Sequence, residues 1–189
     1  MDYKQTINTR AKNAQQMCRD RLYGLIHTYP KSYDEIVILC IGTDRATGDA
    51  LGPLCGHLLS RLAAEQNFGA AIYGTLKNPV HAANLQTSMQ KIQKKHPNPM
   101  IIAIDACLGK GYHIGSFIIR QTALYPGVAI NNGLEAVGDI SIIGIVNIAG
   151  GEALAILQST RLGLVMEMAG VIAKGVFECM AKLQSNRLS

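Results

Sequence analysis

IVILCIGTDRATGDALGP, residues 36–53, joins a continuous apolar run to a glycine-punctuated loop that carries Asp44 and Asp49. An unbroken apolar stretch such as Ile36 to Ile41 reads as a strand covered on both faces, the habit of parallel sheets. Behind the loop, Leu51, Leu54, Cys55, Leu58, Leu59 and Leu62 recur at helical spacing. A strand–loop–helix of this kind is where many folds cradle phosphate. A Walker loop, however, needs lysine and a hydroxyl after its last glycine, and here Gly48 is followed by Asp49 and Ala50. Gly42, Gly48 and Gly52 do not have the G-x-G-x-x-G spacing either. Both readings would place a carboxylate where an anionic ligand should sit, so nucleotide binding fails on charge and on spacing. Taken alone, Asp49 is a first-turn acid that complements a helix dipole, worth ~0.3–1 kcal/mol. Asp44, after Gly42 and Thr43, suits a side-chain turn.

A third aspartate changes the weighing. Ala70 to Leu76 reads as a second strand, and Asn78-Pro79 as the cap and first position of a helix running to about Lys95. His96-Pro97-Asn98-Pro99 stops that helix. Met100 to Ile104 is a third buried strand, ending on Asp105. The order strand, helix, strand, helix, strand calls for right-handed crossovers and a parallel sheet. In the usual order 2-1-3, the first and third strands are neighbours, so the loop of Asp49 and the tip carrying Asp105 face one crevice. Two carboxylates there divide their proton affinities, so that one serves as base while the other stays protonated. Asp49, near a helix N-terminus, is expected to favour its charged form and Asp105 its neutral one. The same pair would also serve as two ligands of a metal.

Elsewhere, Thr6 to His27 reads as a polar helix with an apolar end at Leu22, Leu25 and Ile26. Ser116 to Arg120 and Ser141 to Ile148 read as further strands. Between them, Thr122 to Asp139 is a long segment with Gly127, Asn131, Asn132 and Gly133, expected to be mobile and to lie over the crevice. A short helix is expected from Glu152 to Gln158. Ser159 or Thr160 would then cap a long one whose positions 162, 165, 166, 169, 172, 173, 176, 179, 180 and 183 form a core-packing stripe. The expectation is an α/β fold: a single-domain three-layer α/β/α sandwich over 1–189, with a mostly parallel twisted sheet of about five strands. Residues 1–30 form an N-terminal helical segment and 36–183 the core.

The composition agrees. The chain has 189 residues, 48% hydrophobic and 16% charged, enough for one sizeable core. No apolar run approaches the ~20 residues of a membrane span. No signal-peptide core opens the sequence, so a cytoplasmic protein is expected. Its five cysteines show no C-x-x-C spacing and read as small buried hydrophobes in a reducing compartment. The net charge of +5 is dispersed, and with no tryptophan and three phenylalanines there is little to stack bases on. Nucleic acid and membrane are not expected partners.

The run Gly42-Thr43-x-x-x-Thr47-Gly48-Asp49-Ala50-Leu51-Gly52-Pro53, with Ile104-Asp105-Ala106, resembles the germination protease of spore-forming bacteria, which degrades small acid-soluble spore proteins. The shorter sporulation family called YyaC is a closer likeness, extending from about Ile36 to Gly175 and including Val137-Gly138-Asp139-Ile140-Ser141-Ile142 and Thr160-Arg161-Leu162. More distantly, the pattern is similar to the hydrogenase maturation endopeptidases and their phosphorylase/hydrolase-like fold. Those grip nickel with a glutamate, an aspartate and a histidine. Asp49 and Asp105 match the two acid positions, but no histidine motif matches, so no metal or other cofactor is expected. The resemblance implies a spore-associated peptidase with catalytic Asp49 and Asp105. Thr43, Asp44, Thr47, Gly48, His81 and Asp139 would support them or bind a protein or peptide substrate, with spore proteins as candidates. It implies a forespore or spore-core location and allows a homo-oligomer. A non-catalytic protein that binds peptides or partners in the same crevice, or a metal-dependent amidase, remains open on the residues alone.

Overall fold

The computed structural model describes residues 5–65, 68–126 and 135–187. Its strands are β1 (Thr6–Asn8), β2 (Glu35–Cys40), β3 (Ala70–Tyr73), β4 (Pro99–Gly109), β5 (Ser116–Arg120) and β6 (Ile140–Ile148). They form one six-stranded mixed sheet in the order β1-β5-β6-β4-β2-β3. β2 pairs in parallel with both β3 and β4, and β4 with β6. β5 and β1 run antiparallel to their neighbours. The 2-1-3 order of the first, second and third apolar runs is therefore present as β3-β2-β4.

Side-chain alternation sorts the two faces, because successive residues of a strand point to opposite sides. Ile36, Ile38 and Cys40 of β2, with Met100, Ile102 and Ile104 of β4, pack in one core with α1 (Ala14–His27), α2 (Leu51–Glu65) and α5 (Leu162–Arg187). Val37, Leu39, Ile101 and Ala103 pack on the other face with Leu85 and Ile92 of α3 (Leu85–Lys95). That explains why the apolar runs do not alternate with polar residues. The short helix α4 (Ala153–Gln158) follows β6. Of the five free cysteines, four are buried and Cys107 is half-buried. No helix among the described residues is long and apolar enough to cross a membrane.

Four elements depart from the sequence expectation. Thr6–Asn8 is a strand rather than the start of a helix: Ile7 is buried and the strand covers the otherwise open edge of β5. The Asn8 side chain then accepts the Arg10 N–H, a local turn that delays α1 to Ala14. α3 begins at Leu85, not at Pro79. Asn84 instead accepts the His81 N–H and donates to the Pro79 carbonyl, holding residues 79–81 in a loop. β4 runs on past Asp105 to Gly109. At the start of α5, Leu162 and Met166 are exposed rather than core. The Thr160 hydroxyl donates to the Ile156 carbonyl instead of capping that helix. Of the long segment after β5, Leu124 and Val137 pair with one another and sit in the core on the α3 side. Gly127, Asn131, Asn132 and Gly133, the residues expected to be mobile and to lie over the crevice, fall outside the described residues.

Candidate active site

The site is assembled where β2 ends and β4 does not. Pairing between them stops at Cys40 and Ile104, and the Ile41 N–H makes a last bond to the Ile104 carbonyl at 2.7 Å. Beyond that level, among the described residues, β4 pairs with β6 alone, with Asp105 opposite Ile143. The chain leaving β2 turns at Gly42, where φ is +136°, a region that side-chain-bearing residues rarely adopt. A Cβ on Gly42 would lie 2.0 Å from the Asp49 carbonyl oxygen, and one on Gly52 would lie 2.0 Å from that of Ile41. These close approaches fold the loop back, so that a 3-10 turn (Gly48–Ala50) leads directly into α2.

Asp49 is half-buried in that turn, and the Thr43 N–H donates to both its carboxylate Oδ2 (3.0 Å) and its carbonyl (3.1 Å). Burial pushes its carboxyl above the ordinary range, while the Thr43 N–H and nearby His81 pull it partway back. The expectation that a helix N-terminus would set its charge is corrected: burial is the largest influence. Asp105 is buried, and its Oδ1 accepts the N–H of Ala106 at 2.8 Å. Burial, reinforced by the charge of Asp49, holds it well above the usual carboxylate range. The two carboxyls thus feel one another, and the proton affinity of Asp105 is the more strongly raised, the division expected of an acid–base pair.

His81 reaches Asp49 by a route the sequence hides. Val80 pairs in parallel with Ile41, and the Gly42 N–H bonds the Val80 carbonyl at 2.8 Å, which brings the loop before α3 over the end of β2. The other candidates separate. Thr43 is half-buried, its hydroxyl accepting the Arg45 N–H. Thr47, also half-buried, gives its carbonyl to Ala50. Gly48 is buried against Leu157 and Thr160. Asp44 is exposed.

Asp139 does not join them. It precedes β6, at the opposite end of the parallel strands, four residues before the partner of Asp105 and so ~13 Å away along the strand. There its carboxylate accepts the Ile101 N–H (2.9 Å) and the Tyr29 hydroxyl, a structural clamp between the sheet and the end of α1.

Cys107, two residues beyond Asp105 and on the same side of β4, is an element of the site that residue-type reasoning misses and strand alternation would have found. Its thiol is pushed up to about 12, by burial first and then by Asp105, which makes it a poor nucleophile at neutral pH. Among the described residues no three His, Cys, Asp or Glu side chains converge as a metal cage. A surface cavity of about 460 Å³ opens between β1 and α1 and holds neither aspartate. Perturbed carboxyls make this pair the candidate site, and cavity size does not.

Comparison with known proteins gives three findings. The chain is 48% identical over 141 residues to the uncharacterized protein YyaC of Bacillus subtilis (strain 168), a match spanning 75% of this chain and 67% of that one. Its fold is similar to the crystal structure of a [NiFe] hydrogenase maturation protease, HycI, from Thermococcus kodakarensis KOD1. That match has a TM-score of 0.59 and 20% identity, and covers 85% of this chain and 99% of the other. A family model described as a protein of unknown function (DUF1256) matches residues 6–175. The chain belongs to the DUF1256 family.

Proposed function

We propose that the chain is a peptidase in which Asp49 and Asp105 activate a water molecule against a peptide bond. One observation carries this reading: the pair is electrostatically coupled, with the buried Asp105 the more strongly biased to its protonated form. Ionised Asp49, oriented by the Thr43 N–H, takes a proton from water, and the water oxygen attacks the peptide carbonyl carbon. Asp105, its Oδ1 held by Ala106, gives its proton to the carbonyl oxygen as the tetrahedral intermediate forms. In the collapse Asp49 passes the proton it took from water to the leaving nitrogen, Asp105 takes one back from a hydroxyl of the intermediate, and the C–N bond breaks; both carboxyls are restored and no covalent enzyme intermediate is needed. Thr43, Thr47, Gly48 and His81 form the supporting shell. His81 lies near enough to draw the carboxyl of Asp49 downward. The substrate class is protein or peptide. The likeness of the Gly42–Pro53 and Ile104–Ala106 runs to the germination protease makes spore proteins, in the forespore or spore core, the first candidates.

The test is incubation of the purified protein with a spore protein extract, beside Asp49→Asn and Asp105→Asn. Wild-type cleavage that both variants lose, with the fold intact by circular dichroism, supports the reading. If the wild type cleaves nothing while a partner is retained equally by wild type and Asp49→Asn, the aspartates are relics of the fold. The non-catalytic binding protein then replaces the peptidase.

A further inference from the structure

In a parallel strand the N–H and C=O of one residue point to the same side, and those of the next residue to the other. On β4, Ile104 faces β2, since its carbonyl accepts the Ile41 N–H, while Gly109 faces β6, since its carbonyl accepts the Ala149 N–H. The register shift near Cys107 inserts its extra residue in β6, where Ile145 and Asn147 oppose Cys107 and Leu108 and Val146 opposes neither. The alternation of β4 is therefore undisturbed. Asp105, Cys107 and Gly109 face β6, and Ala106 and Leu108 face the side that β2 has left. The Ala106 N–H on that side is occupied by its neighbour Asp105. Among the described residues nothing pairs with the Ala106 carbonyl or with the N–H and carbonyl of Leu108. All three residues from Ala106 to Leu108 are half-buried, whereas Met100 to Asp105 are buried.

We infer that this short free edge of β4 receives the substrate backbone, and that an extended peptide adds as a strand in the place β2 vacates at Gly42. The inference rests on the peptidase reading and gives it a substrate conformation: unfolded or extended chain, recognised through its backbone. An unpaired strand edge is ordinarily blocked, and the sheet's outer margins belong to β1 and β3. This edge instead lies within the outline of the sheet and begins at the residue after Asp105, so a strand seated there runs directly past the carboxyl pair. Main-chain bonds supply the affinity in such strand addition, and alternate side chains supply the selectivity. On one side of the seated peptide, alternate residues meet Ala106 and Leu108, which pack on the main core. On the other they meet Cys107.

The experiment uses the whole 189-residue chain carrying Asp49→Asn, which should hold peptides without cutting them, and a pool of short proline-free unstructured peptides. It follows amide hydrogen exchange at Leu108, with wild-type cleavage of the same pool measured in parallel. Peptide at about ten times its dissociation constant should slow exchange of the Leu108 amide about tenfold. A pool methylated on every second backbone nitrogen keeps one pairing edge and should protect Leu108 as well, whereas a fully N-methylated pool should not. Wild-type cleavage with an unprotected Leu108 amide, or equal cleavage of the fully methylated pool, overturns strand addition and leaves the peptidase standing. Protection without wild-type cleavage supports strand addition and removes the hydrolytic reading. Neither protection nor cleavage overturns both.

Discussion

Replacing Gly42 with alanine tests the loop geometry that holds Asp49, and Gly150→Ala supplies its control. The two glycines have nearly the same φ, +136° and +133°. A Cβ on Gly150 meets nothing within 4 Å, whereas a Cβ on Gly42 meets the Asp49 carbonyl oxygen at 2.0 Å. The torsional strain, ~1–3 kcal/mol, is shared by both variants and is partly offset by the ~0.4–1 kcal/mol that alanine gains by restricting the unfolded chain. Gly150→Ala should therefore destabilise by about 1–2 kcal/mol. Gly42→Ala must in addition drive the Asp49 carbonyl back by about 1 Å to a normal contact. That loosens the Thr43 N–H from both Asp49 oxygens, at ~1 kcal/mol for each bond, for an expected total of about 3–4 kcal/mol. Urea unfolding followed by circular dichroism and tyrosine fluorescence measures the difference in a chain with seven tyrosines and no tryptophan. A displacement of ~1 Å at a carboxyl that positions water should also lower the cleavage rate about hundredfold in the protein that remains folded. If Gly42→Ala and Gly150→Ala agree within about 0.5 kcal/mol, the loop is not folded back on Asp49 and the argument for its position fails.

Three further outcomes are expected. Because Asp105 binds its proton more tightly folded than unfolded, its effect on stability is absent below the unfolded value near 4 and grows unfavourable as pH rises toward the folded one. Asp105→Asn should thus unfold at higher urea than wild type at neutral pH, with the gap closing in acid; a less stable variant at neutral pH refutes the buried neutral carboxyl. Asp139→Ala should cost ~1–3 kcal/mol and leave peptide cleavage per folded molecule unchanged, since its partners are Ile101 and Tyr29. Ultraviolet titration should also find Tyr29, pushed up to about 12 by burial and by Asp139, titrating closer to the ordinary tyrosine value in that variant. Leu22→Ala, at a fully buried position in the main core, should lose ~2–5 kcal/mol in the same unfolding assay.

Periodicity and punctuation were enough to find β2, β5, β6, α2 and the position of α4, because those elements are limited by their own apolar runs and turn residues. They also put Asp49 and Asp105 at the ends of neighbouring strands, since the strand–helix–strand order constrains which strands lie side by side. What depended on a partner distant in sequence was not legible. Thr6–Asn8 is a strand only because β5 offers it an edge, and the segment before α3 stays open only because Val80 pairs with Ile41. The same pairing carries His81 to Asp49, while Asp139, as acidic as the others in the sequence, is drawn to the far end of the sheet by Ile101 and Tyr29. β4 outlasts β2 because β6 continues to pair with it, so that beyond Ile104 no described strand lies on the side β2 has left. A residue's own chemistry determines whether it can be buried, and local pattern determines which face it presents. The neighbouring strand, and with it the proton affinity of each carboxyl, is decided by hydrogen bonds and desolvation that exist only once the sheet has closed.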